Sequence, residues 1–385
     1  MDGSSSSQAS TSKPPSKLSS KTPSKFEQLK TNSGHLKEPL LGELGNEAPN
    51  FSDGAIQILK FHGSYQQDNR DNRRKGEEKD WQMMLRLRNP GGRVPGGLYL
   101  AIDELADRLG NGTLRATTRQ AFQMHGVHKE NLKEVIGTIV RQLGSTLSAC
   151  GDINRNVMAP AAPFEKGAYP AARQLADDIA DLLTPQAAEG SYLDIWVDGE
   201  LSYQIKPSNS VKAVRARQLE GGVFSGDSSE PLYGATYLPR KFKVAVTVPG
   251  DNSVDLLTQD IGLVLFCDPQ GRAKGCNVYV GGGMGRTHNK DETFARTADP
   301  LGYVASEHLL DLVQSILALQ RDHGDREQRR HARMKYLIHD RGVAWFKQEL
   351  QASYFGHPIK ALRPEPKAKL EDYLGWHRQS KGLWF

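Results

Sequence analysis

Cysteine is scarce in this chain of 385 residues: Cys150, Cys267 and Cys276 are all it has. An odd number without framework spacing excludes a disulfide scaffold and points to a reducing compartment. Their separations match no usual zinc or iron–sulfur spacing, so all three read as small core or near-core residues. Long apolar runs are also missing. No stretch approaches the roughly 18 residues of a membrane helix, so no membrane partner is expected. A P-loop is absent, and the run GGGMGRTH breaks the G-x-G-x-x-G dinucleotide pattern because position 286 is Arg. No Ser-His-Asp arrangement can be defended. The interleaved aromatic and basic side chains of a strand-binding platform are absent too, which weighs against nucleic acid.

What remains is ordinary for a globular protein: 37% hydrophobic, 25% charged, with a net charge of +5. That length favours two domains or more. The opening Ser, Lys and Pro residues have little to bury, and residues 1–35 read as a disordered tail. The tail is as acid-poor as a plastid transit peptide but lacks arginine and an amphipathic apolar face. Ser52 then caps a short helix. A compact βαβ-type lobe follows over 36–150: the strand MMLRLR, the helix LYLAIDELADRLG, a long strand with Arg115, and the helix NLKEVIGTIVRQLG. Residues 151–370 read as a second α/β domain. Its helices include AARQLADDIADLL, HLLDLVQSILALQ and REQRRHARMKYLI; its strands include YLDIWVD, KFKVAVTV, IGLVLFC and CNVYVGG. The Gly/Ser/acid-rich stretch at 217–231 reads as an exposed loop. Residues 371–385 read as the first strand of a further lobe that resembles DWQMMLRLRNPGG.

Cations recur at strand spacing on otherwise apolar segments. In TLRATTRQAFQMHG, Arg115, Arg119, Gln123 and His125 take odd positions, and Leu114, Ala116, Phe122 and Met124 take even ones. Alternate strand residues face opposite ways, so one face would be a cationic wall. Arg86 and Arg88 alternate with Leu85 and Leu87 in MMLRLR. Lys241 and Lys243 alternate with Phe242, Val244, Val246 and Val248 in LPRKFKVAVTV. Three such segments imply a large, multiply anionic ligand. Arg155, in the turn-like NRNVMAPAAP, could simply bond a carbonyl; beside Arg86, Lys241 and Lys243 it gains weight as an anion ligand. A mixed set of guanidinium and ammonium groups suits a small oxyanion that is neutralised and protonated as it is reduced. The glycine run after CNVYV reads as backbone that must approach a flat or anionic ligand closely. Arg321, Arg326, Arg329, Arg330, Arg333 and Lys335 are most cheaply a solvated face, but part of the run could hold ligand carboxylates or an acidic protein partner, and spacing alone does not decide between them.

Together, KFHGSYQQDNRDNR, MLRLRNPGG, LRATTRQAFQMHG, GSTLSACGDINRNVMAPAAP, YLPRKFKVAVTVPGDNSVDLLTQDIG and NVYVGGGMGRTHNKDETFAR strongly resemble assimilatory sulfite reductase of the sirohaem type. The ferredoxin-dependent enzymes of cyanobacteria and plastids are the nearest likeness, and the resemblance runs from about residue 26 to the end. It implies an α/β (α+β) fold: a ferredoxin-like sulfite/nitrite reductase half-lobe, then a mixed α/β sirohaem-binding domain. It also implies a sirohaem coupled through a cysteine thiolate to a [4Fe–4S] cluster, with ferredoxin as electron donor and six-electron reduction of sulfite to sulfide. By matching motifs, Arg86, Arg155, Lys241 and Lys243 would hold sulfite. Arg115, Arg119, Gln123, His125, Arg240, Gly281, Gly282, Gly283 and Arg333 would hold the sirohaem, whose carboxylates answer to the anionic ligand inferred above.

One departure stands out. The family's cluster cysteines lie in a C-terminal half, and no metal ligand of this chain matches them. The chain therefore reads as the N-terminal half of such an enzyme, truncated before the second lobe and cluster domain, and completed in cis or in trans. The location implied is the cytoplasm of a photosynthetic bacterium or the plastid stroma. A nitrite reductase portion is an alternative; those enzymes usually carry Asn where Lys243 stands. A non-enzymatic sirohaem- or nucleic-acid-binding fragment is the other.

Overall fold

The computed structural model describes residues 23–69, 71–165, 167–187, 194–197, 200–204, 207–219, 223–370, 374–378, 382 and 384. The first lobe holds α1 (Lys25–Asn32), α2 (Leu40–Leu44), α3 (Asp53–Leu59), β1 (Ser64–Asp68), β2 (Trp81–Arg86), α4 (Gly96–Leu109), β3 (Leu114–Ala116), β4 (Phe122–Val127) and α5 (Leu132–Arg141). The second holds α6 (Tyr169–Leu182), β5 (Asp194–Val197), β6 (Glu200–Gln204), α7 (Asn209–Leu219), β7 (Val244–Thr247), β8 (Ile261–Cys267), β9 (Ala273–Val280), β10 (Asp299–Ala305), α8 (Leu309–His323), α9 (Met334–Arg341) and α10 (Val343–Glu349).

The first sheet has the order β1-β2-β4-β3, with antiparallel neighbours throughout. β2 and β3 therefore run parallel with β4 between them, so the βαβ-type lobe is a split βαβ unit. Ser52 caps α3 as expected, its hydroxyl accepting from the Ala55 amide at 3.3 Å. α4 and α5 cover one face of the sheet, burying Leu98, Ile102 and Leu105 with Val135 and Ile139. In the second sheet, of order β10-β9-β8-β7, only β7 and β8 pair in parallel. α8 packs nearly all round, buried from Leu309 to Arg321 apart from Asp311, against α6, α7 and α9. One hydrophobic core runs through both lobes, from Ile58 and Leu85 to Leu263 and Ile316. No helix among the described residues is long and apolar enough to cross a membrane.

Several expectations change. The long strand with Arg115 is a hairpin: β3 and β4 flank a turn in which Gln120 adopts a φ of 53°. KFKVAVTV becomes regular strand only from Val244, and all four residues of β7 are buried, as in a parallel pair covered on both faces. REQRRHARMKYLI is helical only from Met334; the residues before it form turns pinned by ion pairs. Arg88 points inward, 6% exposed, donating to Thr184 Oγ1 at 2.8 Å and to the Ala180 carbonyl. Within the tail, residues 1–22 lie outside the described residues, but Ser24 to His35 are ordered around α1, with Lys30 fully buried. In the 217–231 stretch, Val223 and Glu230 are buried. The expected strand at 371–385 falls largely outside the described residues. Its described part makes one isolated bridge, Arg378 with Trp384.

Candidate oxyanion and polyanion site

Register explains why the cations of the first lobe meet. Arg86 lies opposite Gln123, and Gln123 lies opposite Arg115 on the next strand. Directly opposed residues share a face, and His125 follows Gln123 by two, so all four side chains occupy one side. Met124 and Leu85 take the other side and are fully buried. With its amide turned to present the oxygen, Gln123 accepts from Arg86 Nε at 2.9 Å. Arg86 Nη1 also donates to Cys150 Sγ at 3.0 Å. Burial and the nearby guanidinium groups of Arg115 and Arg86 push His125 below the ordinary imidazole range, which keeps it neutral.

Arg155 reaches the same place from the second lobe. Residues 153–158 run extended beside the chain leading into β7, with bridges Asn154–Phe242 and Met158–Ala245. The Arg155 amide donates to the Phe242 carbonyl at 2.8 Å, and the Phe242 amide donates to the Ile153 carbonyl at 3.1 Å. Asn154 and Phe242 are therefore partners facing the core, both essentially buried. Their neighbours Arg155, Lys241 and Lys243 share the opposite face. The expected alternation of Lys241 and Lys243 around Phe242 holds, although regular strand has not yet begun. Arg155 does bond carbonyls, from Nε to Gly151 at 2.9 Å and from Nη1 to Ala149 at 3.2 Å. Those bonds fix it within the cationic set.

Arg119, in the hairpin turn, crosses between the lobes. It donates to Gln259 Oε1 at 2.7 Å and to the Val244 carbonyl at 2.8 Å. Asn156 ties the turn down, donating to the Arg119 and Asn89 carbonyls, each at 2.8 Å. The glycine run lies beside residues 259–260: the Gly281 amide donates to the Asp260 carbonyl at 3.0 Å and the Gly282 amide to the Gln259 carbonyl at 2.8 Å. Gly281 needs its φ of +83°. A Cβ on Gly282 would fall 2.6 Å and 2.9 Å from the Gln259 carbonyl oxygen and amide nitrogen, and nearer still to the Leu257 oxygen. Backbone cannot yield as a side-chain tip can, so Gly282→Ala is expected to cost about 3 kcal/mol in urea unfolding.

Two residues escaped the sequence reading. Asp260, fully buried, receives a 2.7 Å hydrogen bond from Arg333 Nη2. Lys335, read as part of a solvated face, is 1% exposed; its ammonium donates to the Gly283 and Gly285 carbonyls at 3.0 and 2.8 Å and to the Phe294 carbonyl. Arg333 also donates to the Gly282 carbonyl at 3.3 Å. Arg240 sits 3.8 Å from Asp152, which Arg329 grips with both guanidinium nitrogens. The position of Asp260 just ahead of IGLVLFC was visible, but nothing in the sequence marked it as a counter-ion.

The charge balance is lopsided. Arg119, Arg155, Arg240, Lys241, Lys243 and Arg333 form one electrostatically linked set, and among the described residues the carboxylates that act on Arg119, Arg240, Lys241 and Lys243 are Asp152 and Asp260. Burial lowers Lys243 to about 7, helped by Arg119 and Arg333. Burial, with Arg155 and Arg333, lowers Lys241 to about 8. Arg119 is lowered to about 9, chiefly by burial. Buried donors at Arg119 Nε and Arg333 Nε have no acceptor among the described residues. A concentration of half-buried cations with unspent donors is the complement of a polyanion.

Two family models match: the "Nitrite/Sulfite reductase ferredoxin-like half domain" over residues 74–140 and the "Nitrite and sulphite reductase 4Fe-4S domain" over residues 183–359. The chain is 60% identical over 363 residues to "Sulfite reductase [ferredoxin]" of Synechococcus elongatus, covering 94% of this chain and 57% of that protein. It is 42% identical over 355 residues to "Sulfite reductase [NADPH] hemoprotein beta-component" of Methylobacterium sp. strain 4-46, covering 91% of this chain and 55% of that one. The chain thus spans a little over half the length of these relatives. Among solved structures, Mycobacterium tuberculosis NirA protein superposes with a TM-score of 0.65 at 22% identity, over 94% of this chain and 59% of that one, a likeness of fold. The chain belongs to the nitrite and sulfite reductase family.

Proposed function

We propose that this chain binds sirohaem and sulfite as part of a ferredoxin-dependent sulfite reductase. The observation that carries the proposal is the shared face of Arg155, Lys241 and Lys243, set by the pairing of Asn154 with Phe242 and joined to Arg86 on β2. The residues present fit sirohaem, a tetrapyrrole rich in carboxylates. Arg115, Arg119, Gln123, His125, Arg240 and Arg333 would supply the donors, those at Arg119 Nε and Arg333 Nε having no acceptor among the described residues, while Gly281–Gly283 pack closely against Ile338, the Leu257 and Gln259 backbone and Arg333. Sirohaem supplies, when bound, an iron centre that delivers electrons to the oxyanion.

The chain's own residues bind, orient and protonate. Arg86 and Arg155 offer planar forks to oxygen atoms. Lys243 and Lys241, poised near 7 and 8, are partly neutral without an anion. An arriving oxyanion favours the ammonium form, so each lysine takes up a proton on binding and holds it against an oxygen that must leave as water. The second ammonium, at Lys243, suits a doubly charged sulfur oxyanion better than nitrite.

The cysteines do not fit a [4Fe–4S] cluster. Cys276 is buried on β9, Cys267 ends β8, and Cys150 lies against Arg86 in the first lobe. No group of three or more potential metal ligands occurs among the described residues. We assign the cluster ligands to further polypeptide, in cis or in trans, and the setting to the cytoplasm of a photosynthetic bacterium or the plastid stroma. The test uses the purified chain and uroporphyrin, an octacarboxylate tetrapyrrole. Tight binding that weakens steeply with salt is expected, together with tighter binding of sulfite than of nitrite. Iron–sulfur reconstitution of this chain alone should yield no cluster absorption. Salt-independent porphyrin binding, or equal affinity for the two oxyanions, would reject the proposal.

A further inference from the structure

We infer that α1 is a strap that holds the cation-bearing segment Tyr237–Lys243 in place, and that its buried Lys30 is a positioning residue for the oxyanion site. The inference rests on the anion-binding reading above only for what the segment does, not for how it is held. α1 lies outside both segments matched by the family models.

This helix buries charge where an apolar stripe is the norm. Ser24 caps it, and its inward side chains are Glu27 at 4% and Lys30 at 0% exposure. Eight residues are too few to stand as an isolated helix, so its docking must come from tertiary contacts. Lys30 Nζ donates to the Leu238 carbonyl at 2.7 Å, pairs with Glu27 at 2.6 Å, and lies 3.7 Å from Asp152. Arg326 pairs with Glu27 at 2.5 Å and donates to the Tyr237 carbonyl at 2.7 Å. The Leu238 amide donates to the Asp152 carbonyl at 3.1 Å. Phe26 completes the contact, its ring 4.1 Å from the Arg329 guanidinium that holds Asp152.

Three bonds thus clamp the two residues ahead of Pro239, Arg240 and Lys241. The clamp falls where the backbone needs one. Tyr237 has a φ of 53°, a left-handed conformation unfavourable for an aromatic residue. Such a residue persists only when its surroundings over-determine it; here the ring is buried against Phe61 and Tyr233, the Tyr237 amide donates to the Gly234 carbonyl at 3.2 Å, and Lys30 and Arg326 hold the carbonyls of Leu238 and Tyr237. Asp152 is shared in the same network between Lys30, Arg329 and Arg240. Lys30 therefore also sets how strongly Asp152 draws Arg240 away from the anion. A buried ion pair is a poor choice for stability alone, since replacing both partners by well-packed apolar residues of similar volume is often neutral or stabilising. Its use here is geometric.

The test compares the full chain with Lys30→Met and Arg326→Gln, reading sulfite affinity and the rate of tryptic cleavage after Lys241. Lys30→Met is expected to weaken sulfite binding about tenfold and to speed that cleavage, with the far-ultraviolet dichroism of the wild type. Arg326→Gln should move both readings the same way by less. A folded Lys30→Met with wild-type affinity and wild-type cleavage would overturn the strap. If Lys30→Met does not fold, unchanged cleavage in Arg326→Gln overturns it equally. If wild-type chain fails to bind sulfite, the functional reading falls, while the cleavage comparison still decides the strap.

Discussion

Replacing Lys241 and Lys243 together by glutamine should lower the affinity for sulfite about a hundredfold at pH 6.5. A hydrogen bond to a charged group contributes about 1.5–3 kcal/mol, so each lost ammonium is worth about tenfold or more. The expected loss depends on pH. Lys243 is lowered to about 7 and Lys241 to about 8, chiefly by burial. At pH 6.5 wild-type chain presents both ammonium groups, whereas at pH 9 it presents neither without first taking up protons. The gap between wild type and K241Q/K243Q should therefore shrink as pH rises from 7 to 9. Calorimetry in buffers of different ionisation enthalpy reads the same event as proton uptake on binding, which the double variant should lack.

The same lysines act oppositely on the unliganded fold. Their folded-state values lie below the ordinary 10.5, so the unfolded chain keeps these protons to higher pH than the folded chain. Stability then rises with pH from about 7 toward 10.5, because the unfolded state binds more protons across that window. K241Q/K243Q should flatten that rise and should unfold at a higher temperature than wild type near pH 7. Residues that weaken the empty fold and tighten the anion complex are what a binding site requires. A variant that lost both stability and affinity would instead mark the lysines as ordinary structural groups.

The sequence displayed this chemistry more faithfully than its geometry. The odd-numbered set Arg115, Gln123 and His125 shares a face because β3 and β4 pair Arg115 with Gln123, not because one strand runs through all three. The turn at 117–121 has five residues, an odd number, so paired residues of β3 and β4 share parity, and a one-strand reading and a hairpin reading put the same side chains together. Arg88 shows the limit of that pattern. It continues the alternation of MMLRLR, yet β2 ends at Arg86, and Arg88 turns into the interior beside Thr184 and Ala180. Sequence spacing carries no mark of where a strand stops. The basic run at 321–335 misled for a different reason. Its partners, Glu27, Asp152 and Asp260, lie far away along the chain, so local spacing saw unpaired charge and read a solvated face. Asp260 was invisible as a counter-ion on the same grounds.

Asp260 is where the largest single loss is expected. It is fully buried, and its carboxylate is the opposing charge within reach of Arg119, Lys241, Lys243 and Lys335 as well as Arg333. Removing one partner of a buried ion pair costs about 3–5 kcal/mol, because the remaining charge stays behind uncompensated. Here several charges stay behind, and Asp152 is already committed to Arg329 and Lys30. Asp260→Ala should therefore leave the unliganded chain largely unfolded at neutral pH, read by urea titration. The deficit is electrostatic, so a polyanion should return part of it. Adding uroporphyrin should raise the urea midpoint of Asp260→Ala by more than it raises that of wild type, since the ligand then supplies both its ordinary contacts and the missing counter-charge. An equal rise in both proteins would mean that the Asp260 carboxylate serves only to hold Arg333 in place and is not the counter-charge of the anion site. No rise in either would mean that the cations of the two lobes do not form one anion site.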